Sequence, residues 1–265
     1  MLIFVVPVVF PSELARSLRQ ARVVAVIPSR YRSTRLPGKP LALIDGKTMV
    51  EHVWTRASHA RRVDAVVVAT DSEEVATAVD KFGGVAVMTS ADHATGTDRL
   101  AEVAAKLESD LIVNVQGDEP LITPSAIDAA VQPLLSPAGE RMGTLRKRLD
   151  APEDLHNPSI VKLVVDHQGY ALYFSRSPLP YVRPGHQAPA MWRHLGLYVY
   201  KRTFLLELAR LPQTPLELAE GLEQLRVLEH GFRIVTVETD ADTIGVDTPE
   251  DLERVRRLVQ AGARS

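Results

Sequence analysis

The sequence of 265 residues contains no cysteine, no strong net charge and no long apolar run. Without cysteine the chain forms neither disulfides nor thiolate nucleophiles, so any bound metal must have oxygen or histidine ligands. The net charge of −2 gives no overall attraction to nucleic acid or to an anionic membrane. No apolar segment approaches the ~20 residues that a membrane-spanning helix needs. The lack of cysteine permits the reducing cytoplasm without demanding it. We expect a cytoplasmic protein that binds neither nucleic acid nor membrane.

The composition suits one large α/β domain. Of the residues, 45% are hydrophobic and 24% are charged, and a chain of this length can bury a sizeable core. The apolar stretch from Leu2 to Phe10 has no Lys or Arg before it and no small-residue cleavage site after it, which argues against a secretory signal. We interpret residues 1–21 as an N-terminal extension and residues 22–265 as a single domain.

Strands and helices alternate from residue 22 to about residue 140. Near-continuous runs of Val and Ile predict strands that are covered on both faces. Such strands form a mainly parallel sheet joined by right-handed crossovers, which is a Rossmann-like α/β arrangement. The predicted strands span 22–28, 63–69, 84–88 and 110–115, and the predicted helices span 48–60, 72–82, 97–108 and 123–135.

The pattern changes after about residue 140. Two short apolar runs, 163–165 and 170–174, flank a turn at Gly169 and predict a hairpin. The later predicted elements are a strand at 194–200, helices at 201–210 and 215–230, a strand at 232–238 and a helix from Thr248. We therefore predict an inserted, smaller α+β region at about 140–230 that faces the ligand-binding edge of the sheet.

A group of cations follows the first predicted strand. Its members are Arg30, Arg32, Arg35 and Lys39. Open α/β sheets bind ligands beyond the carboxyl ends of their strands, and clustered cations there suit a polyphosphate. Gly38 lets the backbone approach such a ligand closely. The spacing is neither that of a P-loop nor that of a dinucleotide-binding turn, which argues against both classes of protein. The alternative is a solvated basic loop.

Two carboxylates are predicted near the same edge of the sheet. Asp118 leaves the end of the fourth strand with no helix directly behind it, which favours a metal ligand over a surface turn. Asp247 precedes the last helix, where Asp247 or Thr248 followed by Pro249 is equally typical of a helix cap. Two carboxylates beside a cationic loop suit Mg²⁺, which takes its other ligands from water and phosphate. This combination predicts nucleotidyl transfer, in which an oxygen attacks the α-phosphate of a nucleoside triphosphate.

Eight motifs in one order closely resemble the 3-deoxy-manno-octulosonate cytidylyltransferase family over roughly residues 22–260. They are Arg22 to Pro40, Ala69 to Asp71, Met88 to Arg99, Val113 to Pro120, Tyr170 to Arg176, Arg193 to Tyr198, Leu222 to Arg226 and Gly245 to Leu252. The resemblance implies a fold like that of type A nucleotidyltransferases. It also implies transfer of CMP from CTP to the anomeric hydroxyl of 3-deoxy-D-manno-octulosonate (Kdo) for lipopolysaccharide biosynthesis, with Mg²⁺ as cofactor, by a homodimer.

The resemblance implies roles for individual residues as well. Arg30, Arg35 and Lys39 would contact the triphosphate, and Asp118 and Asp247 would hold Mg²⁺. The nucleotide-binding set would be Pro28, Arg30, Ser33, Lys39, His93, Gly96 and Thr97. The sugar-binding set would be Gln116, Arg99, Arg176, His194, Tyr198, Glu223 and Gln224. None of these side chains must act as a general base, because a metal-bound or desolvated sugar hydroxyl can lose its proton late.

The residue types alone support the sugar contacts unequally. Kdo has a carboxylate, which the planar guanidinium of Arg176 could bind in a bidentate fashion, although a surface charge at a hairpin end is the alternative. Glu223 and Gln224 offer acceptors and donors to sugar hydroxyls, but polar residues are ordinary on an amphipathic helix. His194 and Tyr198 are four residues apart on a strand and so share one face, where packing is their usual role.

Two other functions remain open. A CMP-sialic acid synthetase-like enzyme would act on another acidic sugar, but its first loop runs Arg-Gly-Gly-Ser-Lys where this chain has three arginines. A non-catalytic nucleotide-sugar-binding protein would be expected to have lost Lys39, Asp118 or Asp247, and all three are present. One segment, Leu145 to Arg148, departs from the family, in which that segment is mostly apolar or neutral.

Overall fold

A nine-stranded sheet forms the centre of the molecule within the part of the chain that the structure describes. The structure, a computed structural model, describes residue 18 and residues 20–31, 35–93, 95–136 and 139–262. The strands are β1 (Val23–Pro28), β2 (Leu43–Ile44), β3 (Lys47–Thr48), β4 (Ala65–Thr70), β5 (Ala86–Met88), β6 (Leu111–Asn114), β7 (Met142–Arg148), β8 (Lys162–Val165), β9 (Ala171–Ser175), β10 (Trp192–Lys201) and β11 (Val235–Glu238).

The sheet is mainly parallel, as the Val and Ile runs predict. Its strand order is β11-β7-β10-β6-β1-β4-β5, with the hairpin of β8 and β9 branching from β10. Strands β6, β1, β4 and β5 are parallel neighbours, and β11 is parallel to β7. Only β10, among the strands on this path, runs against its neighbours. Strands β2 and β3 pair with each other apart from the main sheet.

Helices cover both faces of the sheet, and the confirmed fold class is therefore α/β. The helices are α1 (Met49–Ser58), α2 (Glu73–Lys81), α3 (Gly96–Ala105), α4 (Pro124–Val131), α5 (Arg202–Leu208), α6 (Pro215–Glu220), α7 (Gln224–Glu229) and α8 (Pro249–Gly262). Alternate residues of β1 point to opposite faces, so Val24 and Val26 pack with α3, α5 and α7, whereas Ala25 and Ile27 pack with α1, α2 and α4.

Side-chain caps explain where several helices begin. The hydroxyls of Thr48, Ser72, Thr95 and Thr123 each accept a hydrogen bond from the backbone N–H three residues further on. At α4 the cap at Thr123 and the proline that follows it are those the sequence predicts. That helix is shorter than predicted, because it ends at Val131 and continues as a 3₁₀ turn over Gln132–Leu135.

The predicted helix over 215–230 is wrong, because the structure has two helices there. Gly221 adopts a left-handed backbone with φ of 61° and ends α6, and α7 begins at Gln224. The two helices are joined by a buried ion pair in which Arg226 donates to both carboxylate oxygens of Glu217, at 2.8 and 2.5 Å. The interruption places Glu223 and Gln224 at the start of α7, which packs on one face of the sheet.

The predicted N-terminal extension is described only at Leu18, Gln20 and Ala21, and its other residues lie outside the described part of the chain. Leu18 and Ala21 are buried in the cluster that α3 and α5 form against the sheet. The predicted division at residue 21 and the predicted insertion at 140–230 stay predictions. In the described ranges, no helix has the length and apolar character that crossing a membrane requires.

Candidate active site

Lys39, Asp118 and Asp247 meet at the carboxyl edge of the parallel strands. Lys39 follows Gly38, whose φ of 68° is left-handed, at the start of a 3₁₀ turn. Its Nζ donates to Asp118 Oδ2 at 2.7 Å and to Asp247 Oδ1 at 3.1 Å. The guanidinium of Arg35 lies 3.2 Å from the same oxygen of Asp247. Three segments that the sequence marks separately therefore converge on one point.

The electrostatics of this point favour a charged lysine. Partial burial of Lys39 favours the neutral amine, but the charges and hydrogen bonds of Asp118 and Asp247 outweigh it and raise the pKa of Lys39 above its ordinary value. The Lys39 side chain is 17% exposed, so its contacts are screened by solvent less than those of a surface lysine. The ammonium thus stays protonated and holds both carboxylates.

The backbone fixes the two acidic segments to each other. The N–H of Val246 donates to the carbonyl oxygen of Asp118 at 2.8 Å. Val246 is fully buried in a small cluster with Ile44, Met49 and residues of α8. The separation of the two carboxylates is therefore set by the framework as well as by Lys39.

The helix cap at α8 belongs to Thr248 and not to Asp247. The Thr248 hydroxyl accepts a hydrogen bond from the N–H of Asp251 at 3.2 Å. In return, Asp251 Oδ2 accepts from the N–H groups of Asp247 and Thr248 at 3.1 and 3.0 Å. The side chain of Asp247 takes no part in this capping box, and its carboxylate faces Lys39 and Arg35.

The segment from Leu145 to Arg148 stabilises this region through its contacts with neighbouring strands and loops. Leu145 is a buried core residue, and the guanidinium of Arg146 donates to the carbonyl oxygen of Thr236 at 3.0 Å. Lys147 and Arg193 are paired across β7 and β10 and share the carboxylate of Asp242, at 2.5 and 2.7 Å. These contacts tie the segment between β11 and α8, which leads to Asp247, to the sheet.

The loop after β1 also touches the loop after β5. Arg30 donates to the carbonyl oxygen of His93 at 3.0 Å. The ring Nε2 of His93 lies 2.6 Å from Glu102 on α3. The charge of Lys106 and hydrogen bonds from Lys106, Ser90 and His93 overcome burial and lower the pKa of Glu102 to about 2. Ser33, also predicted to bind nucleotide, lies outside the described residues.

A cavity of about 270 Å³ lies on the face of the sheet that α3, α5 and α7 cover. From the predicted nucleotide set, the residues on its wall are Pro28, Gly96 and Thr97. From the predicted sugar set, they are Gln116, His194, Tyr198, Glu223 and Gln224. The structure therefore brings these predicted residues together from five separate parts of the chain.

Glu223 connects the two sets directly. Its carboxylate accepts hydrogen bonds from the hydroxyl of Thr97 and, at 3.4 Å, from the Thr97 N–H. Thr97 lies in the first turn of α3, whose N-terminus is closed by a capping box of Thr95 and Asp98. Gln116 donates to the carbonyl oxygen of Gly196 at 2.9 Å, where β10 is irregular in its pairing with β7.

His194 is neutral and has a defined tautomer. Burial lowers its pKa to about 3. The Thr144 hydroxyl lies 2.8 Å from the carbonyl oxygen of Leu197, to which it can only donate. It therefore accepts from His194 Nε2 at 2.9 Å, and Nδ1 of His194 is left as an acceptor. The ring of Tyr198 packs on it with centroids 5.3 Å apart, so the predicted shared face of the two residues is real.

Arg99 and Arg176 do not lie on the wall of this cavity, and their predicted sugar contacts stay predictions. Arg99 is fully buried, and its guanidinium holds Asp71 at 2.9 Å and the hydroxyl of Thr89. Arg176 donates to the carbonyl oxygens of Glu220 and Pro158 at 2.8 and 3.0 Å. Both guanidiniums are thus bonded within the framework around the site.

Sequence reasoning missed two polar residues of the cavity, Asn114 and Tyr200. Asn114 interrupts the apolar run from Leu111 to Val115, which is a signal, since asparagine is disfavoured in strands. Tyr200 gives no such signal, because tyrosine is common in strands. Its place on the wall follows from β10, which runs beside β6.

A divalent metal at this edge would depend on the carboxylate pair. In the described ranges, no group of three or more His, Cys, Asp or Glu side chains is arranged as a metal site. Asp118 and Asp247 nevertheless bind one ammonium together, so their oxygens are close enough to share a cation. Mg²⁺ commonly uses one or two protein carboxylates and completes its shell with water and phosphate. The donor set therefore fits Mg²⁺.

Comparisons with known proteins agree with this geometry. The cytidylyltransferase family model matches residues 24–235. The 3-deoxy-manno-octulosonate cytidylyltransferase of Geobacter metallireducens is 57% identical over 244 residues, which cover 88% of this chain and 96% of that protein. That of Solibacter usitatus is 53% identical over 240 residues, which cover 91% of this chain and 95% of the relative.

Solved structures show the same fold. The structure of CMP:2-keto-3-deoxy-manno-octonic acid synthetase complexed with CTP superposes with a TM-score of 0.87 at 45% identity, covering 91% of this chain and 99% of its own. A cytidylyltransferase from Leptospira borgpetersenii shares the fold, with a TM-score of 0.61 at 18% identity over 91% of this chain and 87% of that one. Fold, site and family model together define a nucleotidyltransferase of the cytidylyltransferase class. The chain belongs to the 3-deoxy-manno-octulosonate cytidylyltransferase family, and the resemblance found in the motifs is confirmed.

The separation of Asp247 from the helix cap gives a matched pair of variants. We expect Asp247→Asn to fold normally and to lose at least ~10²-fold in turnover of CTP, because a charged group beside the phosphates is lost. Thr248→Ala should instead destabilise the fold by about 0.5–2 kcal/mol and leave turnover nearly intact. Steady-state kinetics and thermal melting of both variants check this. Near-normal turnover in Asp247→Asn would mean that its carboxylate has no part in the reaction.

Proposed function

We propose that this protein transfers CMP from CTP to the anomeric hydroxyl of Kdo, giving CMP-Kdo and pyrophosphate. The observation that supports it best is the meeting of Lys39, Asp118 and Asp247 beside a cavity walled by many hydrogen-bonding side chains. Such a cavity suits a hydroxyl-rich ligand, and the cations next to it suit a triphosphate. The product would be the activated sugar that lipopolysaccharide biosynthesis uses.

The cations act on the phosphates. Arg30, Arg35 and Lys39 would bind the triphosphate of CTP and offset the negative charge that develops on the departing pyrophosphate. Asp118 and Asp247 would hold Mg²⁺, which when bound polarises the phosphoryl oxygens and neutralises the leaving group. On the cytidine side, we assign His93, Gly96 and Thr97 at the start of α3, with Pro28 at the end of β1.

The cavity holds and orients the sugar. Gln116, Tyr198, Glu223 and Gln224 provide hydrogen-bonding groups, and His194 contributes an acceptor because its proton lies on Nε2. The sugar hydroxyl attacks the α-phosphorus, a new phosphorus–oxygen bond forms, and the bond to the β-phosphate breaks. His194 does not take the hydroxyl proton, because its buried ring resists protonation. That proton leaves late, after the new bond has begun to form, and passes to water.

Lys39 has two competing sets of partners in this reaction. Without nucleotide its ammonium lies between Asp118 and Asp247, where Mg²⁺ would also have to bind. The phosphates of CTP offer the ammonium another anion and so release both carboxylates. Metal and nucleotide should therefore bind together, and the lysine should lower the affinity for metal alone.

This arrangement predicts two changes of opposite sign in Lys39→Met. Turnover of CTP should fall by on the order of 10²-fold or more, because a charge aimed at the phosphates is lost. Binding of Mn²⁺ in the absence of nucleotide, followed by electron paramagnetic resonance, should tighten by roughly tenfold, which corresponds to about 1.4 kcal/mol. The control is Lys47→Met, which removes a surface lysine 3.7 Å from Glu51 and should change neither quantity. Weaker Mn²⁺ binding in Lys39→Met would contradict the competition.

The substrate is tested by pyrophosphate release from CTP and Mg²⁺ with a panel of sugars. We expect release with Kdo, and at least ~10²-fold lower kcat/KM with sialic acid and with a neutral ketose, which place their polar groups differently in the cavity. A preference for sialic acid would support the rival acidic-sugar enzyme. Binding of CTP with no pyrophosphate released on any sugar would support the non-catalytic alternative.

We also propose that the protein works in the cytoplasm as a homodimer. The predicted inserted region exposes large apolar side chains, among them Leu172 and Leu218, which are 60% and 63% exposed. Exposed apolar groups of this size favour burial against another protein surface. Sedimentation equilibrium should give the mass of a dimer, and Leu172→Asp combined with Leu218→Asp should shift it toward that of the monomer. A monomeric wild-type protein would exclude this proposal.

A further inference from the structure

Asn114 is a polar residue in a strand whose other residues are apolar and buried. It is the last residue of β6 and is paired with Val26 of β1 on one side and Tyr198 of β10 on the other. The preceding strand residues, from Leu111 to Val113, are apolar and almost fully buried. Asn114 itself is 6% exposed. An apolar residue would fit this part of the sheet better than an amide does.

The amide oxygen of Asn114 is unpaired in the protein. Among the described residues, Oδ1 has no hydrogen-bond partner, although it is buried. Buried polar groups in folded proteins nearly always have a partner, so an unpaired one calls for an explanation. Because Asn114 lies on the wall of the cavity, a ligand in the cavity can reach it.

A complementary group lies on another wall of the same cavity. Gln224, the first residue of α7, is 4% exposed, and its Nε2 has no partner among the described residues. Tyr200 lines the cavity as well and carries a hydroxyl. An acceptor, a donor and a hydroxyl around one cavity match a ligand with several hydroxyls, since each hydroxyl both donates and accepts.

We infer that Asn114 is a specificity-determining residue, whose amide binds a hydroxyl of the sugar other than the one that reacts. This inference rests on the proposed function. The reacting hydroxyl must lie at the phosphates, near Asp118, which follows β6 in a turn. Asn114 is still within the strand, four residues earlier, with Gln116 on the cavity wall between them in sequence. The residue therefore faces a more distant part of the sugar.

The test is Asn114→Leu, which keeps the approximate size of the side chain and removes its polarity. We expect the KM for Kdo to rise about tenfold to hundredfold, the scale of one lost hydrogen bond in a closed site, and the KM for CTP to stay unchanged. The thermal midpoint should hold or rise, because an unpaired buried amide has been removed. Asn114→Thr, which keeps a hydroxyl and suits a strand, should lose less. The matched control is Gln132→Leu at an exposed position in the 3₁₀ turn after α4, which should change no kinetic parameter.

Kdo analogues that lack the C4, C5, C7 or C8 hydroxyl identify the contact. For wild-type protein, one analogue should have a KM higher than that of Kdo by the same factor by which Asn114→Leu raises the KM for Kdo. The variant should have the same KM for that analogue and for Kdo. If wild-type protein uses Kdo but the variant has an unchanged KM for it, or only melts at a lower temperature, the inference is wrong and the proposed function stands. If wild-type protein releases no pyrophosphate with Kdo, both are wrong.

Discussion

One ammonium group holds the reactive edge of this protein together. Lys39 Nζ lies between the carboxylates of Asp118 and Asp247, which are 79 and 208 residues away in the chain. Two carboxylates so close together repel each other unless a cation lies between them. In this chain the cation comes from the loop that is also suited to bind phosphate. Loop position, carboxylate spacing and phosphate binding are therefore linked, and a ligand that changes one of them changes the others.

The residues that we assign to the sugar are linked to those that we assign to the nucleotide by a second polar contact. Glu223 holds the start of α3 through Thr97, and it lies in the short segment between α6 and α7. The buried pair of Glu217 and Arg226 fixes that segment, with both side chains less than 5% exposed. A shift of the turn would separate the two side chains and leave a buried charge without its partner, which costs free energy. The pair therefore holds the turn in place. The position of Glu223 is therefore set by the framework and not by its own loop.

Local patterns in the sequence predict the parts of this structure that depend on local forces. The Val-rich strands, the cap at Thr123 and the place of Asp118 after β6 all follow from neighbouring residues. Contacts with distant partners could not be predicted. The hydrogen bonds of Arg99 to Asp71 and of Arg176 to the carbonyl oxygen of Glu220 leave no trace in the sequence, because the partners come from other segments. The break at Gly221 was missed because a single glycine is tolerated within many helices.

The two ends of the site differ in how the free protein satisfies its polar groups. At the phosphate end, Lys39 is fully engaged by two carboxylates, so binding has to exchange one set of ionic contacts for another. At the end that we assign to the sugar, Asn114 and Gln224 have buried atoms without partners in the described residues, so binding there would add contacts that the protein lacks. Because one set of ionic contacts replaces another, the net free energy of nucleotide binding is limited, and a charged product can dissociate. At the other end, a sugar that leaves the buried polar groups without hydrogen bonds binds less tightly. If the proposed roles hold, affinity for nucleotide and discrimination between sugars arise from different physical interactions in neighbouring parts of one cleft.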